Sequence, residues 1–395
     1  CGPAGDGSGP AAGVSAGQLG QSVAAGYLFL RQMMDRYATG PVPRLVQSFT
    51  GGPLGRRRFT ASETYDDALV IDAYLAADSR AGRSRAAVVA NGLLYVQAND
   101  LQHDGRIRAA YAPTPLRSAA DVTATDPASL AGNMAWAGQA LVRTYAATGR
   151  KAYLTAAEAI GTWVQAHCRD TRGAGGYTGG ETASGQKIEW KSTEHNIDLY
   201  ALFSMLAAAT RDPAWSARAA WARQFVASMW NPRPGRFYVG TTTDGVTPND
   251  HIRPEDVNSW SYLALRDPRY AASASWDVRN LTVSAGGFTG VSFCRGSRTG
   301  IWYEGTAHLA DTLEFRGQPG DAAWAARYLS AIYHAQAHGP GTDRRGIIAA
   351  SRNGLPDCGG GTSSASLHTG TTAWYILAAK KVDPFAVIPA RAGHS

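Results

Sequence analysis

The chain has 395 residues, 44% of them hydrophobic and 17% charged, which is too apolar and too sparsely charged for a disordered protein. Lys and Arg outnumber Asp and Glu by 38 to 31, a formal net charge of +7; the positive residues are scattered, with Arg56-Arg57-Arg58 the one tight cluster, so nucleic acid is not an expected partner. No uninterrupted apolar run approaches about 18 residues, which excludes a membrane-spanning helix, and four cysteines are too few for a disulfide-rich miniprotein.

Residues 1–20 are rich in Gly, Ala, Ser and Pro, a composition that cannot bury a core and reads as a flexible linker. Cys1 ahead of such a tether resembles the lipid-bearing cysteine of a mature bacterial lipoprotein. This predicts lipidation at Cys1, a membrane tether, and work outside the cell or at its envelope. Cys168 ends a helical stretch and reads as a buried thiol, whereas Cys294 and Cys358 lie in Gly-rich loops and are candidates to pair in an oxidising compartment. No CxxC or HExxH spacing points to a metal, and no P-loop occurs, so neither metal nor cofactor is expected.

From residue 21 onward, helices of two kinds alternate. One kind carries a single apolar stripe among Arg, Gln and Asp, over about 21–37, 83–98, 150–167, 213–230, 271–283 and 320–337. Tyr153, Ala157, Ile160, Trp163 and Val164 form such a stripe; the fifth stretch is also strand-like at Val278, Leu281, Thr282 and Val283. The other kind opens on polar residues and continues apolar on most faces. Its starts are Tyr65-Asp66-Asp67, Gly132-Asn133-Met134-Ala135-Trp136, Ser192-Thr193-Glu194-His195-Asn196, Asp256-Val257-Asn258, Tyr303-Glu304-Gly305 and His368-Thr369-Gly370. They recur at intervals of roughly 60 residues, a period that suggests repeated helical hairpins. Helices apolar nearly all round belong in a core and striped ones outside it. Six of each predict an all-α (α/α)6 barrel over 21–383, with a C-terminal tail over 384–395.

Inner helices pass to outer ones through short turns such as Thr148-Gly149-Arg150 and Thr210-Arg211-Asp212-Pro213, with the expected helix stops. The return connections are long and Gly-rich, and long loops in a compact domain are commonly functional. All of them then lie at one end of the barrel, with the six polar helix starts around one opening.

That opening gathers carboxylates, amides and aromatic rings, the chemistry that recognises sugars. Glycosidic cleavage needs two carboxyl groups, one protonated toward the leaving oxygen and one ionised. Glu194 is the first candidate, in the first turn of a capped helix and four residues before Asp198; the plain alternative is a Glu that complements the helix dipole. Glu304 is the second, between Trp302-Tyr303 and three small residues. Asp256 is the third, with an N-cap role as its alternative. Asp66, Asp67, Asn133, Trp136, Glu189, Trp190, His195, Asp198, Trp302, Tyr303 and His368 are candidate substrate contacts, with one of the Asp66–Asp67 pair expected to face inward. His195, His308 and His368 read as hydrogen-bonding residues rather than metal ligands.

The segments Glu189-Trp190-Lys191-Ser192-Thr193-Glu194-His195-Asn196-Ile197-Asp198 and Trp302-Tyr303-Glu304-Gly305-Thr306-Ala307 resemble those of bacterial six-hairpin glycosidase-like proteins, as do Tyr65-Asp66-Asp67-Ala68-Leu69 and Asp256-Val257-Asn258-Ser259-Trp260. The resemblance spans roughly residues 45 to 380. It implies the (α/α)6 fold and a carbohydrate substrate, in a superfamily of glycosidases, polysaccharide lyases and epimerases. The resulting expectation is a monomeric, secreted glycoside hydrolase acting on a polysaccharide, endo-acting, with Glu194 as general acid and Glu304 as base or nucleophile. Carboxylates from non-neighbouring helices favour inversion. The alternatives are a lyase using Tyr303 or His195 as base, and a non-enzymatic glycan-binding lipoprotein.

Overall fold

A computed structural model of the chain describes residues 13–40, 42–114, 116 and 122–387. Cys1 and most of the 1–20 linker lie outside these residues. Six inner helices, α3 (Thr64–Ala76), α5 (Ala131–Thr148), α7 (Thr193–Thr210), α9 (Asp256–Leu265), α11 (Tyr303–Arg316) and α13 (Thr369–Lys380), pack each on the next, and α13 closes the ring on α3. The outer partners are α1 (Ala16–Asp35), α4 (Arg80–Ala98), α6 (Lys151–His167), α8 (Pro213–Ser228), α10 (Ala272–Leu281) and α12 (Asp321–His338), with a short helix α2 (Gly52–Arg56) in the first long loop. The fold is therefore an (α/α)6 barrel. Inner helices are buried on nearly every face, as with Met134 to Thr144 of α5, whereas α6 buries one stripe, Tyr153, Ala157, Ile160 and Val164 among it.

Two boundaries differ from the sequence reading. α1 starts at Ala16, inside the expected linker, because Ser15 and Gln18 cap it reciprocally: the Gln18 N–H donates to Ser15 and the Ser15 N–H to Gln18. The fifth outer helix stops at Leu281, and Thr282–Ala285 turns back through Gly286-Gly287 to pair with Phe288–Val291. Both glycines have positive φ, 57° and 82°, as a tight hairpin requires.

The long loops are stitched to the helix starts in a closed ring. The first N–H of each inner helix donates to a carbonyl of the following loop: Thr64 to Ala109, Ala131 to Gly179, Thr193 to Val239, Tyr303 to Ala349 and Thr369 to Ser48. Glu255, one residue ahead of α9, does the same with Phe293. A side chain three places later accepts an N–H from the preceding loop. Val46 donates to Asp67 at 2.8 Å, Tyr177 to Asn196 at 2.9 Å, Phe237 to Asn258 at 2.9 Å, Val291 to Thr306 at 3.0 Å and Ile347 to Thr372 at 3.0 Å. Helix starts leave N–H groups unpaired, and buried loop backbone needs partners. This ring meets both demands, and it accounts for the polar character of helix starts that otherwise run into a core.

The other end of the barrel is closed by the chain terminus. Phe385 is buried, with its ring centroid 5.1 Å from that of Trp136 and 5.6 Å from that of Trp260. Arg143 donates to the carbonyls of Asp383, Pro384 and Ala386. The expected tail over 384–395 thus begins as a plug; residues 388–395 lie outside the described residues.

Candidate active site

The ring of hydrogen bonds sets a common register for the six inner helices. Counting from the residue that donates to the following loop, the second place is Tyr65, Gly132, Glu194, Asp256, Glu304 and Gly370 in turn. Three consecutive inner helices, α7, α9 and α11, therefore put a carboxyl group at the same level of the mouth. The flanking helices put glycine there. A Cβ on Gly370 would stand 2.4 Å from an Asp66 oxygen, and one on Gly132 would stand 2.5 Å from the His195 ring, so neither place tolerates a side chain without movement. Over the gap at Gly370, Tyr65 reaches across to Glu304.

Glu304 is the most heavily held of the three. The Tyr65 hydroxyl donates to it at 2.8 Å and itself accepts from the Trp374 indole at 2.7 Å. Thr371 lies 3.4 Å from the other oxygen, His368 Nδ1 3.2 Å and His308 Nε2 3.7 Å from the carboxylate. His308 also faces Glu255 at 3.1 Å, and His368 faces Asp66 at 3.3 Å. Burial opposes a charge on Glu304, yet the two imidazoles outweigh it and hold its carboxyl well below the usual carboxylate range. Burial likewise opposes charge on the histidines, and the carboxylates again prevail: His308 is lifted to about 9 and His368 well above the ordinary histidine value. Asp66, Glu304, Glu255 and the two imidazole rings form one connected network.

Glu194 is in the opposite state. Burial, then the charge of nearby Asp256, push its pKa up to about 8, with His308 pulling weakly the other way. Asp256 is raised to about 7 by burial and by Glu255. Asp198, one turn below Glu194, is buried beside Trp136, and burial, then Glu194 and Asp256, drive its pKa far up. At neutral pH the mouth holds a protonated carboxyl on α7 and an ionised one on α11.

Most expected contacts gather here. Asp66, Asn133, His195, Asp198, Trp302 and His368 line the mouth or lie just beneath it. His195 is kept neutral by burial, its pKa lowered to about 4, and Trp190 stands 5.7 Å from its ring. Four candidates go elsewhere. Asp67 is a loop clamp, accepting from Val46 and from Ser62 at 2.9 Å. Glu189 is paired with Arg172 at 2.8 Å on an exposed loop. Trp136 sinks into the barrel axis among Trp260, Trp374 and Phe385, because its helix lets it face the core. Tyr303 is buried in the core, and burial raises its hydroxyl to about 12. Sequence reasoning missed Glu255 and Tyr65; it read His308 as hydrogen-bonding, as its contact with Glu255 shows, but did not place it against Glu304, for which the i, i+4 spacing was the available signal.

Glu63, Asp66 and His368 offer ligand atoms within 4.8 Å of one another and are the residues that could hold a cation. Both His368 nitrogens already face carboxylates, so a protonated imidazole supplies positive charge at that place. Cys294 and Cys358 form a disulfide with Cα atoms 6.4 Å apart, and Cys168 is a buried free thiol.

No family model matches the sequence, and no curated protein matches it. Solved structures do. A D-mannose isomerase aligns at 12% identity with a TM-score of 0.67, over 93% of this chain and 97% of that one. The cellobiose 2-epimerase of Bacillus thermoamylovorans aligns at 8% identity and 0.67, over 91% and 99%. An α-1,6-mannanase of glycoside hydrolase family 76 from Salegentibacter sp. aligns at 12% identity and 0.62, over 93% and 100%. At such identities the likeness establishes the shared (α/α)6 barrel.

Proposed function

We propose that the chain is a secreted glycoside hydrolase that cleaves a polysaccharide, with Glu194 as general acid and Glu304 as base or nucleophile. The observation that carries this reading is the opposite ionisation of two carboxyl groups at one mouth: Glu194 protonated at neutral pH, Glu304 ionised. Environments that drive two carboxyl groups apart in this way assign the acid and the base. Asp256 contributes by repelling charge on Glu194. The network of His308, His368 and Tyr65 keeps Glu304 charged. The Cys294–Cys358 disulfide supports an oxidising compartment.

The mannanase and the epimerase on the same fold bracket the choice of chemistry. Epimerisation needs a neutral base; His308 and His368 are ion-paired, which leaves His195 for that role. A lyase needs a base near a uronate, and His195, neutral with an unpartnered Nδ1, is the one observation in its favour. The deciding experiment is reducing-end release across a polysaccharide panel by wild type, Glu194→Gln and Glu304→Gln. Cleavage lost in both variants supports the pair. Full activity in either removes that residue from the reaction, and an unsaturated, ultraviolet-absorbing product in place of new reducing ends supports the lyase.

A further inference from the structure

Two cavities border the Glu63–Asp66–His368 cluster, and their charges are opposite. On the α3–α5 side, the ionisable lining residues are Glu63 and Asp126. On the α13 side, a cavity of about 340 Å³ is bounded by Trp302, Phe49, Asn353 and Ser363, and its ionisable lining residues are Arg57 and His368. His368 is already matched to Asp66 and Glu304. Arg57 is not matched: among the described residues no carboxylate lies within ion-pair reach of its guanidinium, unlike Arg106, Arg108, Arg172 and Arg316.

The backbone that carries Arg57 is held in place. The loop that carries it is pinned at both ends, since Gln47 Nε2 donates to the carbonyls of Phe49 and Phe59. Phe49–Thr50 pairs with Leu367–His368, and the Phe49 ring stacks on His368 at 4.0 Å. Leu54 N–H donates to Ser366. Gly52 lies so close to this strand that a Cβ would meet the Ala365 carbonyl at 2.4 Å. An exposed, unpaired guanidinium in a cavity that Trp302 also lines suits a sugar ring that packs against the indole edge and carries an exocyclic anionic group.

We propose that this cavity is a subsite for an anionic sugar unit, bearing a carboxylate or a sulfate, with Arg57 as its charge partner and Trp302 as an apolar wall. The substrate is then an acidic polysaccharide, its anionic unit bound on the α13 side of the reacting bond. The acidic lining of the other cavity rejects a second such unit next to it. This assignment rests on the glycan-processing reading for the identity of the ligand.

The test is binding, measured calorimetrically, of hexasaccharides in three classes: uronate-bearing, sulfate-bearing and neutral. Wild type, Arg57→Ala and Arg56→Ala are compared, since Arg56 is a neighbouring cation that does not line the cavity. The expected result is an anionic class bound at least about tenfold more tightly than neutral chains. That preference is lost in Arg57→Ala, kept in Arg56→Ala and weakened by added salt. Which anionic class binds distinguishes carboxylate from sulfate. Neutral chains bound equally well, anionic binding unchanged in Arg57→Ala, or no anionic chain bound would each overturn the proposal. Reducing ends are assayed in the same samples. An anionic chain bound through Arg57 but never cleaved leaves the subsite standing and removes the hydrolase. A neutral chain cleaved equally by Arg57→Ala does the reverse.

Discussion

Glu194 should make the folded protein less stable in proportion to how strongly it is poised for catalysis. Its pKa is about 8 in the folded chain against an ordinary 4.5, so the native state binds the proton more tightly than the unfolded state does. By linkage, the stability it contributes is fully present below about pH 4.5, falls as pH rises, and levels off above about 8. At pH 7, with about 1.4 kcal/mol for each pH unit above 4.5, the unfolded state gains about 3 kcal/mol over the native one. Glu194→Gln keeps the shape and loses the titration, so it should be more stable than wild type by up to that amount. A chain of this length has an unfolding entropy near 0.8 kcal/mol/K, which makes the difference about 4 °C in Tm. Thermal unfolding of both proteins from pH 4 to 8.5 should show a gap that is small at pH 4 and widens steadily to about pH 8. A gap independent of pH, or a variant that is less stable throughout, would refute the assignment of Glu194 as the buried protonated acid.

Three further outcomes follow from the same geometry. Asn196→Ala strands the Tyr177 N–H and carbonyl that it now pairs; denaturant unfolding should show a loss of about 2–5 kcal/mol, against less than about 1 kcal/mol for Asn133→Ala at the mouth. The Cys294→Ser/Cys358→Ser double variant opens a link between residues 64 apart and should lower stability by up to about 4 kcal/mol, read in the same assay. In the pH dependence of kcat/KM, Glu194 and Asp256 share their protons, so activity should decline with an apparent pKa between about 7 and 8. Glu304 stays ionised far into acid, so a loss of activity between pH 7 and 5 would contradict its role as the base.

The sixfold alternation was legible because burial imposes it: inner helices must be apolar all round and outer ones on a single stripe. The levels of Glu194, Asp256 and Glu304 were legible too, since each stands at the start of an inner helix. Polar helix starts, however, serve two purposes that sequence alone does not separate. Asp67, Asn196 and Asn258 clamp loops, while Glu194 and Glu304, two places ahead of a clamp, face the opening. The distinction rests on which loop N–H each side chain meets, and those partners lie 15 to 25 residues away in the chain. Trp136 read as a wall of the mouth because its position is close to the helix start, but one helical turn carries it into the axis. Glu255 was overlooked beside Asp256, since its partner His308 lies 53 residues on and is brought to it by ring closure. Phe385 gave no periodic signal at all; it matters because the open end of a barrel of this kind exposes indole faces that need a cover.

The central claim is that Glu194 delivers a proton to the leaving group while Glu304 serves as base or nucleophile. It is tested most directly by comparing, for a glycan found to be cleaved in the polysaccharide panel, the natural chain with an aryl glycoside of the same sugar whose phenolate leaves unaided. Glu194→Gln should lose at least about a hundredfold in kcat/KM on the natural chain and little on the aryl glycoside. Glu304→Gln should lose activity on both. Equal losses on the two substrates in Glu194→Gln would contradict the account.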